Sequence, residues 1–160
     1  MIPSLDGRTP FQLAFVVPDL EDAVRRFDAL GAGPWRGWLF RADGQGREYR
    51  GKPAEWTLRL ALTSGSPQYE LIEPVRGPSI HAEWLRDRGG GFHHVGYVVE
   101  SVAQTMSEMA AAGYLAVAKV HSFGAEGDGE AAYFDTADAL GFYVEAVVPP
   151  RQMPPVHFTL

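Results

Sequence analysis

The stretch Gly89 to Val99 reads GGGFHHVGYVV: three glycines break the chain, two histidines follow, and an alternating apolar run closes it. An earlier stretch, Phe11 to Leu20, reads FQLAFVVPDL and echoes it. Laid on each other, Gln12 falls over His94, Ala14 over Gly96, Phe15 over Tyr97, and Val16-Val17 over Val98-Val99. The match runs on through Asp19 over Ser101, Leu20 over Val102, Ala23 over Thr105 and Gly31 over Gly113. An internal repeat of this length decides the fold, because each copy is one supersecondary unit that needs the other to bury its apolar face. Side chains alternate across a strand, so Gln12, Ala14 and Val16 share one face and His94, Gly96 and Val98 share the equivalent face. A polar residue leads that face in each copy and a small residue follows it, which leaves room for a ligand or a metal shell. By the same parity His93 points to the other face and takes a helix-packing or supporting role.

Each copy reads as strand, turn and helix. In the first, Phe11 to Val17 is a strand. Asp19 caps a helix carrying Leu20, Ala23, Val24 and Phe27, and Gly31 stops it. Strands follow at Trp35 to Arg41, Arg47 to Arg50, Trp56 to Thr63 and Gln68 to Glu73, with a turn-rich loop at Ala42 to Gly46. In the Trp56 run, Trp56, Leu58, Leu60 and Leu62 share one face and Thr57, Arg59, Ala61 and Thr63 the other. Residues 11–75 thus form a βαβββ module, preceded by a loose arm at 1–10. Residues 76–91 are a connector with a short helix opened by Pro78-Ser79. Residues 92–148 form the second module: its helix starts at a Ser101/Gln104 capping box and buries Val102, Met106 and Met109. Its later strands are Tyr114 to His121, Ala131 to Asp135 and Phe142 to Val148, with a Gly-rich loop at Phe123 to Gly129. A Pro-rich extended tail, 149–160, is free to pack on a neighbour.

Composition narrows the function. The 160 residues are 46% hydrophobic and 21% charged, ordinary for a globular chain with a core, and fit one domain of two fused modules. A net charge of -6 argues against nucleic acid or an anionic membrane surface as partner. With no cysteine, disulfides and thiolate chemistry are excluded. No apolar run is long enough for a membrane span, and Met1 to Pro10 does not read as a secretory leader, so the expected location is cytoplasmic.

The repeat also aligns the last strands. Tyr69 to Pro74 (YELIEP) falls over Val144 to Pro149 (VEAVVP), which sets Glu70 over Glu145. The chain therefore delivers two matched pairs, Gln12 with His94 and Glu70 with Glu145. If the modules pair edge to edge, their sheets form one curved, half-open, eight-stranded barrel of α+β class with helices outside. A pseudo-twofold axis would then bring the four residues to one point in the trough. One imidazole, one amide oxygen and two carboxylates suit a divalent ion and leave positions open for water or substrate. Each of these residues alone is more often a solvated or core side chain; only the symmetry makes them a set.

The pattern FQLAFVVPDL, YELIEP, GGGFHHVGYVV and YFDTADALGFYVEAV resembles the vicinal oxygen chelate superfamily, which includes glyoxalase I, methylmalonyl-CoA epimerase, extradiol dioxygenases and bleomycin-resistance proteins. The resemblance implies paired βαβββ modules, one divalent metal (Zn, Ni, Co, Mn or Mg) and a homodimer. It places the ligands at Gln12, Glu70, His94 and Glu145. The ligand set is similar to that of some glyoxalase I enzymes, while Gly33-Pro34-Trp35 and Tyr49-Arg50-Gly51 look closer to the epimerase branch. Both branches abstract a proton next to a carbonyl through a metal-stabilised enediolate, so a small-molecule carbonyl or thioester substrate is expected. Glu145 is the expected base and Glu70 its partner. Trp35, Tyr49, Trp56 and Phe123 are candidates for an apolar wall and Arg50 or Arg59 for an anionic substrate group, with Tyr133 and Tyr143 as alternatives. Two rivals stand beside this: a metal-free binding protein of the drug-resistance kind, and an extradiol-type dioxygenase, which needs a second histidine where Gln12 stands.

Overall fold

The computed structural model describes residues 1–41, 46–158 and 160. Of the expected turn-rich loop, 42–45 lie outside the described residues. The strands are β1 (Gln12–Val16), β2 (Trp35–Arg41), β3 (Arg47–Tyr49), β4 (Lys52–Pro53), β5 (Thr57–Thr63), β6 (Gln68–Arg76), β7 (Gly91–Val98), β8 (Ala116–Phe123), β9 (Gly129–Phe134) and β10 (Tyr143–Val148). The helices are α1 (Leu20–Asp28), α2 (Ile80–Arg88), α3 (Val102–Ala111) and the short α4 (Ala137–Leu140), with one 3-10 turn at Pro3–Leu5. All the strands join one sheet in the order β2-β5-β6-β1-β7-β10-β9-β8-β3-β4.

The repeat is visible in the registers. Strands β1 and β7 pair antiparallel at the centre, with Gln12 opposite Gly96 and Ala14 opposite His94. A twofold axis between Leu13 and Val95 exchanges those two pairs. On the flanks β1 runs parallel to β6 with Ala14 beside Glu70, and β7 runs parallel to β10 with Gly96 beside Glu145. The sheet has ten strands rather than eight because β3 and β4 leave the first module: β3 pairs with β8 of the second.

Helix caps fix where the outer layer begins. Asp19, Ser79 and Ser101 each accept a hydrogen bond from the backbone N–H three residues on, heading α1, α2 and α3. The capping box at Ser101 is one-sided, since Gln104 turns its amide to Glu108 instead. Helix α1 covers the outside of the first half through Leu20, Ala23 and Val24, packed on Ala61 and Leu71. Helix α3 covers the second through Val102 and Met109, packed on Ala132, Phe134 and Ala146. Helix α2 serves the inner core instead, where Ile80 and Trp84 join Ala14, Val16, Leu58 and Ile72 of one half and Val117, Val120, Ala131 and Val147 of the other. The N-terminal arm is docked rather than loose. Ser4 N donates to Glu108 on α3, Arg8 donates to Val98 O, and Ile2 and Leu5 pack on the second outer core. The tail packs on its own chain: Phe158 bridges to Gly37 on β2, and Trp38 donates to Pro154 O. No helix among the described residues is long and apolar enough to cross a membrane.

Candidate metal centre

The pseudo-twofold brings Glu70, His94 and Glu145 together. His94 Nε2 lies 3.4 Å from Glu70 Oε2 and 3.4 Å from Glu145 Oε2. His94 is fully buried, Glu145 is 4% exposed and Glu70 8%. Gln12, buried at the equivalent place on β1, donates its amide N–H to Gln68 Oε1 at 2.7 Å, and Gln68 in turn donates to Thr63 O. That relay orients the Gln12 amide and leaves Oε1 as the atom available to a cation. The small residue on β7 has a concrete task. A Cβ on Gly96 would lie 2.9 Å from Glu145 Oε2 and 3.1 Å from Gln12 Cβ, so glycine makes the space the carboxylate occupies.

Electrostatics mark the same point. Burial works against protonating His94, but Glu145 and Glu70 outweigh it and raise the imidazole to about 9. Burial pushes the Glu70 carboxyl up, with His94 pulling against it. The site is thus built to hold positive charge between two carboxylates. Two atoms bound about 2.0–2.2 Å from one ion sit about 3.0 Å apart at right angles and about 3.4 Å apart at the tetrahedral angle. The His94-to-carboxylate separations match that spacing. His94 Nε2 and Glu145 Oε2 are also buried without a hydrogen-bond partner, a costly arrangement that a bound cation would relieve. The residues present therefore fit a divalent ion.

His93 takes the helix-packing, supporting role expected of it, though from the other strand face than parity sets. The β1–β7 register slips, so that Ala14 faces His94 and the next residue, Phe15, faces Phe92. His93 is the extra residue of a β-bulge, and a bulge breaks the alternation that sent it outward. It turns inward beside His94, with the two Nδ1 atoms 2.8 Å apart, and packs against Trp84 and His81 on α2. This fixes which His94 nitrogen faces the carboxylates.

His81 is the residue sequence reasoning missed. It is 4% exposed, with both ring nitrogens unpartnered, and burial lowers it to about 3. Its ligand atoms and those of His93 and His94 lie within 4.8 Å of one another, a second cluster able to hold a metal. Charge favours the other face of His94: its Nε2 side offers two carboxylates to compensate a dication, and the three imidazoles offer none.

A cavity of about 740 Å³ opens above the carboxylates, lined at its base by Gln12, Gln68, Glu70, His81, Tyr133 and Glu145. Burial and the nearby Glu145 hold the Tyr133 phenol well above its usual range, so it stays a donor. Of the expected wall residues, Trp56 and Phe123 line this cavity. Trp35 does not: it packs in the outer core and donates its indole N–H to Asp28. Arg59 is on the outer face too, tied to Glu21 and Glu73. Tyr49 and Arg50 both bind Glu83 of α2, and Arg50 borders a separate polar cleft with Tyr143. Residue type alone makes Trp35 and Tyr49 wall candidates and Arg50 or Arg59 a partner for an anionic group; their pairing partners draw all four away from this cavity.

A family model described as the Glyoxalase/Bleomycin resistance protein/Dioxygenase superfamily matches residues 11–134, more than three quarters of the chain. That span holds Gln12, Glu70 and His94 and stops short of Glu145. No curated protein matches the sequence significantly. Among solved structures, methylmalonyl-CoA epimerase from Mycobacterium tuberculosis is similar, at 21% identity over 88% of this chain and 87% of that one, with a TM-score of 0.59. A variant of the Streptomyces coelicolor methylmalonyl-CoA epimerase in complex with 2-nitronate-propionyl-CoA is 20% identical over 93% of this chain and 100% of that one, TM-score 0.62. A hypothetical protein from Bacillus halodurans C-125 is 20% identical over 93% and 99%, TM-score 0.62. At these identities the likeness is one of fold.

Proposed function

This chain belongs to the Glyoxalase/Bleomycin resistance protein/Dioxygenase superfamily, and from that premise we propose that it is a divalent-metal-dependent lyase or isomerase, of glyoxalase I or methylmalonyl-CoA epimerase type, that moves a proton on the carbon next to a carbonyl. One observation carries the reading: two buried carboxylates, Glu70 and Glu145, stand at equal distance from the unpartnered Nε2 of His94 at the foot of a cavity. A cation held by Gln12, Glu70, His94 and Glu145 would supply Lewis-acid polarisation of a substrate carbonyl. The side chains do the rest. Glu145, whose Oε2 has no partner, takes the proton. Glu70, raised by burial, is the carboxylate suited to hold a proton across the pseudo-twofold. Tyr133, kept protonated, donates toward developing negative charge.

The test is exchange of α-protons with deuterated water, followed by NMR on the hemithioacetal of methylglyoxal and on an acyl-CoA epimer. Glu145→Gln and Glu70→Gln should each slow exchange by about 10²–10⁴-fold. Undiminished exchange in both variants overturns the mechanism. The apolar cavity also favours a second reading, a metal-free binder of aromatic ligands. Protein purified without chelator separates the two: the enzyme carries about one equivalent of divalent metal, the binder none.

A further inference from the structure

The C-terminal tail closes the side of the trough. It bonds to the loop between β8 and β9 in the second half and to β2, an edge strand, in the first, two places far apart in strand order. At the β8–β9 loop, Ala125 N donates to Gln152 O and Arg151 N to Asp128. At β2, His157 N donates to Gly37 O, Leu39 N to His157 Nδ1, and Trp38 Nε1 to Pro154 O. Two glycines are seats for it. A Cβ on Gly124 would lie 2.2 Å from Pro150 Cβ, and one on Gly37 would lie 2.3 Å from Phe158 Cε2. On the cavity wall Arg47 stacks over Phe40 at 4.7 Å. Tail residues Met153, Pro154 and His157 thereby become walls of the cavity.

What these walls leave is apolar. Trp38, Phe40, Trp56, Leu58 and Phe123 surround the space above the carboxylates. Among the described lining residues the cations are Arg41 and Arg47, and Arg47 directs its guanidinium at the carbonyls of Gly46 and His121. A carrier bearing several phosphates or carboxylates needs cationic partners. Polar groups are few: Gln12, Gln68 and Tyr133 join the two carboxylates at the base.

Resting on the proposed proton transfer at this site, we propose that the tail makes the cavity selective for a compact carbonyl compound with an apolar, aryl-type body, and against substrates carried on coenzyme A. The probes are 2-hydroxyacetophenone and propionyl-CoA, titrated calorimetrically into the full-length protein as purified. The first should bind at least about tenfold more tightly. Gly37→Ala, which unseats Phe158 on an extended backbone, and Phe158→Ala, which removes the side chain that anchors the tail on β2 without a clash, should each narrow that ratio at least about threefold while retaining a cooperative melt. Equal or tighter binding of propionyl-CoA, binding of neither probe, or a ratio unmoved by both variants overturns the inference. Binding of 2-hydroxyacetophenone without exchange of its methylene protons would instead sink the proposed reaction and leave the ligand class standing.

Discussion

Four side chains within one short radius set opposing pH demands. His81 is lowered to about 3 by burial, and His93 is also held well below its ordinary value by burial. Their folded values lie under the unfolded one, about 6.5, so the unfolded chain binds more protons in between. The stability they lend is present above pH ~6.5 and is lost as pH falls below it. His94 works the other way. Raised to about 9, it contributes fully below ~6.5 and loses that contribution as pH rises through its folded value. Glu70, raised by burial, opposes the two buried histidines on the acid side but is outnumbered. In chelator, denaturant-unfolding stability should therefore peak near pH 6.5 and fall toward both pH 5 and pH 9. His94→Gln should flatten the alkaline limb. A wild-type profile level from pH 6.5 to 9 would show that no imidazolium sits between the carboxylates. Gly96 supplies the second test at this scale. Gly96→Ala places a methyl carbon 2.9 Å from Glu145 Oε2 and 2.8 Å from Phe11, with no left-handed backbone to confuse the outcome. Metal affinity, read by competition with a chelating dye, should drop about 10–100-fold; an unchanged affinity would remove Glu145 from the ligand set.

Elements carry these residues to the site, and here the sequence was legible unevenly. Gln12, Glu70, His94 and Glu145 could be picked out because they recur, and β1, β6, β7 and β10 place them by symmetric registers. What recurs in only one copy was not legible. The bulge at His93 has no counterpart in β1, so strict alternation sets that ring on the other face, although it packs on a helix as that reading expects. His81 belongs to α2, which lies outside the repeat, and no spacing tied it to the strands. Arg59 shows a different conflict: alternation along β5 sets it on the face away from Leu58, where Glu73 pairs it, while its charge alone suggests a substrate role. The tail gave no local signal, because its seats at Gly37 and Gly124 are long-range contacts. Helix α2 can be tested by its cap. Ser79 is 3% exposed and accepts from Ala82 N at 3.1 Å. Ser79→Ala should cost about 1 kcal/mol of unfolding free energy. A cost near zero in urea titrations would mean that core packing of Ile80 and Trp84 alone sets where α2 begins.

At the scale of the whole molecule the two modules share what each would need to stand alone. The inner core takes Trp56, Leu58 and Ile72 from the first half and Val117, Val120 and Tyr133 from the second. The central seam is a backbone ladder between β1 and β7. Three crossings reinforce it: β3 on β8, the arm on α3, and the tail on β2. Separating the halves would bare the inner face of each sheet and a central strand edge, exposing apolar surface at about 25 cal/mol per Å² with no compensating contact. The site is divided in the same way, with Gln12 and Glu70 on one side and His94 and Glu145 on the other. The full chain should therefore unfold in one transition, with calorimetric and van't Hoff enthalpies equal. Residues 1–75 and 76–160, made separately, should each lack dispersed NMR signals, and mixing them should restore both a cooperative melt and metal binding. If 1–75 folds alone, or the full chain melts in two resolved steps, each module owns a core of its own, and the convergence of four side chains on one cation would rest on docking between independent units rather than on a single continuous sheet.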